Sequence, residues 1–211
     1  MVYGFSPSKI DGSEMIIDKI TSYENIKVPD SYDYTPFLSP VLDQGQRPIC
    51  VPCSISSNIE WKHNLNKEKY NISLDWIYEQ RDDKNASGMT FKAALNSMVK
   101  NGYITKDEYK KKTNVDGNKI NGYAMLVSPY FMQRSLFVNG PFVLALYVKD
   151  SSRPDFWNGN RTEGGHAVAC VGYTSDGLKI RNSWGSNWGD NGYTFLPYSE
   201  IGKVLEAWAI I

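Results

Sequence analysis

Residues 43–61, DQGQRPICVPCSISSNIEW, decide the fold of this chain. The lead-in is polar coil ending on Pro48. From Cys50 the texture changes: Val51, Ile55, Ile59 and Lys62 recur at spacings of four, four and three beside Asn58, which predicts one amphipathic helix over about 50–65. Pro48 and Pro52 are tolerable only at or near a first helical turn, so Cys50 opens the helix. There, unpaired amide N–H groups and the helix macrodipole favour a thiolate, the nucleophilic form of cysteine. Two patterns compete for this residue, beside the plain alternative of a buried, inert thiol. CVPC, from Cys50 to Cys53, has the spacing of a thiol–disulfide oxidoreductase, although that fold needs a buried strand where this chain has polar coil. In the other pattern, Gln44 stands six residues before Cys50. Its carboxamide can donate, with the Cys50 amide, to the oxyanion formed when a thiolate attacks a carbonyl.

Only two histidines can serve as the base. His63 lies thirteen residues beyond Cys50, roughly 20 Å along a straight helix, and reads as a solvated surface residue. His166 opens the apolar run HAVACVGY (166–173) after Gly164 and Gly165, where a side chain can project from a sheet edge into a cleft. Sixteen residues later, in RNSWGSNWGDNGY (181–193), the Asn182 carboxamide can orient an imidazole, the third-group role of a Cys/His arrangement. Trp184 and Trp188 either shield that hydrogen bond from water or simply fill the core.

Helices are predicted at Ser73–Arg81 and Thr90–Lys100, with Ser73 and Thr90 as caps and Asn101–Gly102 as a stop, and at Pro129–Val138. Strand-like runs follow: FVLALYV (142–148), HAVACVGY, GLKIRNSW (177–184), GYTFLP (192–197) and AWAII (207–211), with a turn at Asp176–Gly177. Helices precede strands instead of alternating with them, which argues α+β. Residues 1–27 read as an extended lead-in with one short helix or strand around Met15–Ile20. Residues 28–48 read as irregular surface coil.

The chain has 211 residues, with 23 basic and 23 acidic side chains. A net charge of zero gives no global field for nucleic acid or an anionic membrane, so neither is an expected partner. Three cysteines cannot build a disulfide framework. No run approaches the roughly 18–20 apolar residues of a membrane helix, and the N-terminus lacks the unbroken apolar stretch of a signal peptide. The expectation is a cytoplasmic protein, or one exported without a signal peptide. The sequons at Asn71, Asn85 and Asn160 are then chance matches.

Three segments taken together, DQGQRPICVPCSISSNIEW, GGHAVACVGY (164–173) and IRNSWGSNWGDNGYTFLPY (180–198), resemble the papain-like cysteine peptidase family in order and spacing. SGMTFKAALNSMVKNGYI (87–104), NGPFVLALYV (139–148) and VPDSYDYT (28–35) are similar to intermediate pieces of the same family, so the resemblance covers about residues 28–211. It implies a two-lobed α+β fold, with a helical lobe over roughly 42–120 carrying the nucleophile and a β-barrel-like lobe over roughly 121–211 carrying His and Asn. It implies a peptidase, an endopeptidase by expectation, acting on peptide or protein substrates as a monomer with no metal or cofactor. Cys50 becomes the nucleophile, His166 the base and later acid, Asn182 its orienting residue and Gln44 an oxyanion donor. Gly88 and Met89 line one wall of the substrate groove, with Gly164, Gly165 and Ala167 on the other and Trp184 beside the histidine. Cys53 and Cys170 become core residues. Arg47 stands where secreted members carry a disulfide cysteine, Val51 replaces a large aromatic, and Gly165 replaces an acidic residue or Asn. Only 27 residues precede the matched region, so the family's long helical propeptide is not expected. The alternatives left open are an oxidoreductase using CVPC and a catalytically silent papain-fold binding module.

Overall fold

The computed structural model describes residues 3–17, 26–112 and 117–211. Among these residues α1 (Cys50–Leu65), α2 (Leu74–Glu79), α3 (Phe91–Lys100) and α4 (Lys106–Lys111) form the helical half, and α5 (Pro129–Asn139) leads into the strands. The strands are β1 (Tyr32–Asp33), β2 (Tyr123–Met125), β3 (Phe142–Val148), β4 (Gly164–Tyr173), β5 (Gly177–Arg181), β6 (Tyr193–Pro197) and β7 (Val204–Ile210). They make one antiparallel sheet in the order β2-β7-β3-β4-β5-β6, with β1 added to the far end of β4. This is the α+β architecture expected, helices first and sheet after. No helix among the described residues is long and apolar enough to cross a membrane.

The caps act as their residue types dictate. Ser73 accepts from the Trp76 amide at 3.2 Å and Thr90 from the Ala93 amide at 3.0 Å, each satisfying a helix-start donor. The unanticipated α4 is also capped. Thr105 Oγ1 accepts from the Glu108 amide at 3.3 Å while the Glu108 carboxylate accepts from the Thr105 amide at 2.7 Å, the reciprocal box that a T-x-x-E spacing encodes. Strand ends shift by a few residues: β4 starts at Gly164, β7 at Val204, and β5 stops at Arg181, leaving Asn182–Trp184 in a loop.

The amphipathic reading of α1 is corrected. Every residue from Cys50 to Trp61 is buried, polar ones included. The cause is that α1 is enclosed: β3 and β4 cover one side and helical-lobe residues the other. Along β3 the side chains alternate as a strand requires. Phe142, Leu144, Leu146 and Val148 enter the sheet's own core with Val168 and Cys170, whereas Val143 and Ala145 join Ala167 against Cys50, Val51 and Ile55. The small Ala145 and Ala167 let the helix approach closely. Asn58, enclosed with the rest, donates to the carbonyls of Asn139 (3.2 Å) and Pro141 (2.7 Å), the turn between α5 and β3.

Residues 28–48 carry β1 and a short 3-10 turn at Thr35–Phe37 within the expected coil. In the predicted element around Met15–Ile20, Ile16 bridges Met125 and Ile17 is fully buried, while residues 18–20 lie outside the described ones.

Candidate active site

Cys50 is the first residue of α1, and its neighbour across the lobes is β4. The amides of Ala167 and Gly4 are directed at its sulfur, along with those of Val51 and Cys50 itself. Burial nevertheless dominates and pushes the thiol up to about 11. Desolvation thus opposes what the helix-start amides favour.

His166 is fully buried one residue before Ala167. Its Nε2 lies 2.7 Å from Asn182 Oδ1, which also accepts the Ser183 amide at 2.8 Å. A backbone amide can only donate, so the Asn182 atom facing it must be the oxygen, and Nε2 must then carry the proton. In the neutral ring this leaves Nδ1 as the bare nitrogen, and Nδ1 has no hydrogen-bond partner among the described residues. Burial draws the imidazole down to about 4, partly opposed by the Asn182 bond. Burial thus disfavours the charged form of both members of the pair, against what the helix start and the Asn182 acceptor favour. Trp184 stacks on His166 with centroids 4.5 Å apart and planes at 24°. Trp188 meets Trp184 edge-on at 5.0 Å and Phe156 meets His166 edge-on at 5.8 Å. The tryptophans both fill the core and cover the His–Asn bond.

Gln44 is held in the turn entering α1. Its amide donates to the Ser183 carbonyl (2.8 Å), its Nε2 to the Arg47 carbonyl (2.9 Å), and its Oε1 accepts from the Ser183 hydroxyl (2.6 Å). Ser183 therefore ties the loop bearing Asn182 to the loop bearing Gln44, a link that sequence reasoning missed although Ser183 sits in the quoted NSWG run. Arg181, immediately before Asn182, is also buried. It donates to the Ser39 and Pro40 carbonyls (2.7 Å each) and to Ser57 Oγ on α1 (3.1 Å). Arg47 pairs with Asp75 on α2.

The remaining predicted residues form two walls. Gly88 and Met89 lie on the helical side and Gly164 and Gly165 on β4, and the groove between them holds residues 3–6. Phe5 bridges Met89 and Gly165 at once. His63, by contrast, stays apart from this site, and its assignment as solvated is corrected. Its Nδ1 lies 2.8 Å from Glu68, its ring stacks on Tyr70 at 3.9 Å, and its Nε2 lies 3.4 Å from the Tyr103 hydroxyl. Cys50, Cys53 and Cys170 are all buried and unbridged. Burial pushes the Cys53 and Cys170 thiols strongly upward, so neither is primed for exchange.

A cysteine at a helix start, packed against the residue that follows a carboxamide-held histidine on the neighbouring strand, is the arrangement of a papain-type thiol hydrolase. Comparison with known proteins agrees: the profile described as papain family cysteine protease matches residues 28–203, and the chain belongs to that family. It is similar to the "KDEL-tailed cysteine endopeptidase CEP2" of Arabidopsis thaliana, with 28% identity over 88% of this chain and 60% of the relative. It is also similar to "Cysteine proteinase 1" of Dictyostelium discoideum, with 25% identity over 80% of this chain and 61% of the relative. The chain thus spans about three-fifths of the length of these relatives. Xylellain, a cysteine protease from Xylella fastidiosa, shares the fold at a TM-score of 0.82 and 24% identity, covering 99% of this chain and 95% of that one.

Proposed function

We propose that the chain hydrolyses peptide bonds as a cysteine-type endopeptidase, with Cys50 as nucleophile, His166 as base and later acid, Asn182 as orienting residue and Gln44 as oxyanion donor. The observation that carries the reading is the Asn182 Oδ1 atom, held by the Ser183 amide and accepting from His166 Nε2, which leaves Nδ1 bare, one residue before the Ala167 that packs with Cys50. When a substrate enters, Nδ1 takes the thiol proton as sulfur attacks the peptide carbonyl carbon. The oxyanion is stabilised by the Cys50 amide and the Gln44 carboxamide. His166 returns the proton to the leaving amine as the C–N bond breaks, leaving a thioester. It then takes a proton from water, whose oxygen displaces the thiol, and the acid product departs. Gly88 and Met89 on one side and Gly164, Gly165 and Ala167 on the other supply the backbone rails for an extended substrate, and Trp184 borders the leaving side. Three unbridged cysteines fit a reducing compartment.

Cleavage of a peptide library by the purified chain tests the reading. Hydrolysis by the wild type that Cys50→Ala abolishes supports it. A wild type that cleaves nothing, even after its groove has been opened, refutes it.

A further inference from the structure

Peptide hydrolysis calls on Cys50 and leaves the rest of its motif, CVPC at residues 50–53, unused. Cys53 is nevertheless a second thiol inside the first turn of the same helix. Helix geometry fixes how near it is. Residues i and i+3 have Cα atoms about 5 Å apart, inside the roughly 4.4–6.8 Å that a disulfide spans. Their Cβ atoms stand about 5–6 Å apart, somewhat beyond the usual disulfide spacing, so closure needs the turn to tighten. A first turn is the part of a helix best able to do so. Cys50 is its first residue and its amide has no intrahelical partner, Pro52 has no amide proton, and the first ladder bond runs only from the Cys53 amide to the Ile49 carbonyl, at 3.0 Å. Cys53 also borders an internal cavity of about 10 Å3 with Ala167, Asn182 and Ser183, which leaves room beside its side chain. The two thiols feel one another, a charge on Cys50 raising Cys53 further. Cys170 is out of reach: it is turned to the opposite face of β4 from Ala167 and donates to the Gly172 carbonyl at 3.4 Å.

We propose that Cys53 is a resolving thiol for Cys50: when a hydroperoxide oxidises the nucleophile, an intramolecular Cys50–Cys53 disulfide forms, which inactivates the enzyme reversibly and keeps Cys50 from oxidising further. Two steps close the balance. In the first, His166 Nδ1 takes the Cys50 proton, the sulfur attacks one oxygen of hydrogen peroxide, the O–O bond breaks, and the departing hydroxide leaves as water with that proton. Cys50 is then a sulfenic acid. In the second, the Cys53 sulfur attacks the Cys50 sulfur, the S–O bond breaks, and the departing hydroxide takes the Cys53 proton as a second water. The two thiols have lost two electrons and two protons, and the peroxide has gained them. Burial of both sulfurs excludes bulky oxidants, whereas hydrogen peroxide is only two oxygen atoms across. Cys53 is poorly primed to attack a disulfide on another molecule, but a sulfur one turn away is met at high effective concentration. A disulfide closed across a tightened helical turn is strained, so small thiols entering by the substrate groove reduce it readily.

The inference rests on Cys50 being the nucleophile of the proposed peptidase, and its test separates the two. The full chain, Cys53→Ala and Cys53→Ser are each treated with a modest excess of hydrogen peroxide, which catalase then removes. Two quantities are read before and after dithiothreitol is added to the folded protein: the mass and iodoacetamide labelling of each cysteine peptide after denaturation, and hydrolysis of fluorescein-labelled casein. In the oxidised wild type the peptide carrying Cys50 and Cys53 is expected to be lighter by two hydrogens and unlabelled, so that of the three cysteines only Cys170 takes a label. Dithiothreitol should return all three labels and the untreated rate of hydrolysis. In both variants the same peroxide should carry Cys50 on to the sulfinic acid, and dithiothreitol should recover about ten-fold less hydrolysis than in wild type. A reversible disulfide in a wild type that never cleaves casein upholds the resolving thiol and overturns the peptidase reading. The proposal fails if the wild-type peptide gains oxygen with its cysteines unlinked or is untouched at a dose that oxidises free cysteine. It fails equally if the bond joins two chains, if dithiothreitol cannot reopen it, or if the variants recover as fully as wild type. The wild-type peptide mass decides the matter even where both variants misfold.

Discussion

Arg181 is the side chain whose loss the structure prices most clearly. Its guanidinium is 3% exposed, bonds the Ser39 and Pro40 carbonyls and Ser57 Oγ, and stands 4.0 Å from the Glu60 carboxylate. Arg181→Met keeps the bulk but strips two carbonyls and a hydroxyl of a charged donor, and leaves Glu60 without its counter-charge. Removing one member of such a buried set costs about 3–5 kcal/mol. With an m-value near 2 kcal/mol/M, the urea midpoint then falls by about 2 M. Glu60→Gln alone is a milder change. Burial raises the Glu60 carboxyl more than Arg181 at that distance lowers it, so the charge gains little there, the amide keeps the side chain's shape, and the loss is about 1 kcal/mol or less. Glu60→Leu in the Arg181→Met background is expected to recover part of the loss, because an orphaned acid is then removed. Equilibrium urea unfolding followed by tryptophan fluorescence measures all four proteins. A midpoint shift below 0.5 M for Arg181→Met at unchanged m would refute the reasoning, since the three hydrogen bonds would then be worth no more than those water supplies.

Three further outcomes follow from the site. Asn182→Ala should lower kcat/KM by about 10²-fold, at the low end of what a positioned base contributes, because the imidazole loses the acceptor at 2.7 Å that sets its tautomer. An unchanged rate would mean that packing against Trp184 alone orients the ring. Cys53→Ala should leave iodoacetamide labelling of Cys50 and peptide cleavage within two-fold of wild type, whereas a dead Cys53→Ala enzyme would put the CVPC exchange reading ahead. The buried His166, held down to about 4 against an ordinary value near 6.5, imposes a pH slope on stability. Between those values the unfolded chain binds a proton that the folded chain refuses. The stability present above pH 6.5 is therefore lost as pH falls toward 4, by on the order of 3 kcal/mol. Urea midpoints across this window should show the loss in wild type and not in His166→Asn, and identical slopes would mean that the folded imidazole takes up its proton as readily as the unfolded one.

The sequence disclosed those parts of the fold that depend on local chemistry. Ser73 and Thr90 cap helices because a side-chain oxygen one residue before a helix finds an amide within reach whatever the rest of the chain does. The stops at Asn101–Gly102 and the turn at Asp176–Gly177 are local in the same way. The Thr105–Glu108 box is equally local, and its T-x-x-E spacing was a signal available without the structure. The enclosure of α1 was not legible, since nothing in Ser54, Ser56, Asn58 and Glu60 says that a sheet and helices cover both of their sides. Nor was the partner of Arg181, which depends on carbonyls some 140 residues away in sequence. Cys50, Gln44, His166 and Asn182 were found because their chemical types and order fit one reaction. Ser183, which ties two of them together, has a side chain too common to stand out.

The protonation state of the pair follows from the same distinction. Helix-start amides lower a thiol by a local effect that a sequence can reveal. Desolvation is set by everything around the sulfur, and here it wins, with Cys50 raised to about 11 and His166 lowered to about 4. Part of that cover is a short stretch of chain: the Gly4 backbone reaches the sulfur, the Tyr3 ring stands edge-on to the imidazole, and Phe5 is buried between them and the helical side. Removing the segment admits water to both groups, which lowers the penalty on a thiolate and on an imidazolium together. The helix-start amides and the Asn182 acceptor then act on a solvated pair, and both favour its charged form. Opening the groove and activating the nucleophile are thereby one event, so a variant that loosens residues 3–6 should move the pH dependence of Cys50 alkylation toward lower pH as well as raise its rate. A rise in rate with an unshifted pH profile would separate access from activation and show that the burial keeping the pair neutral comes from the two lobes themselves.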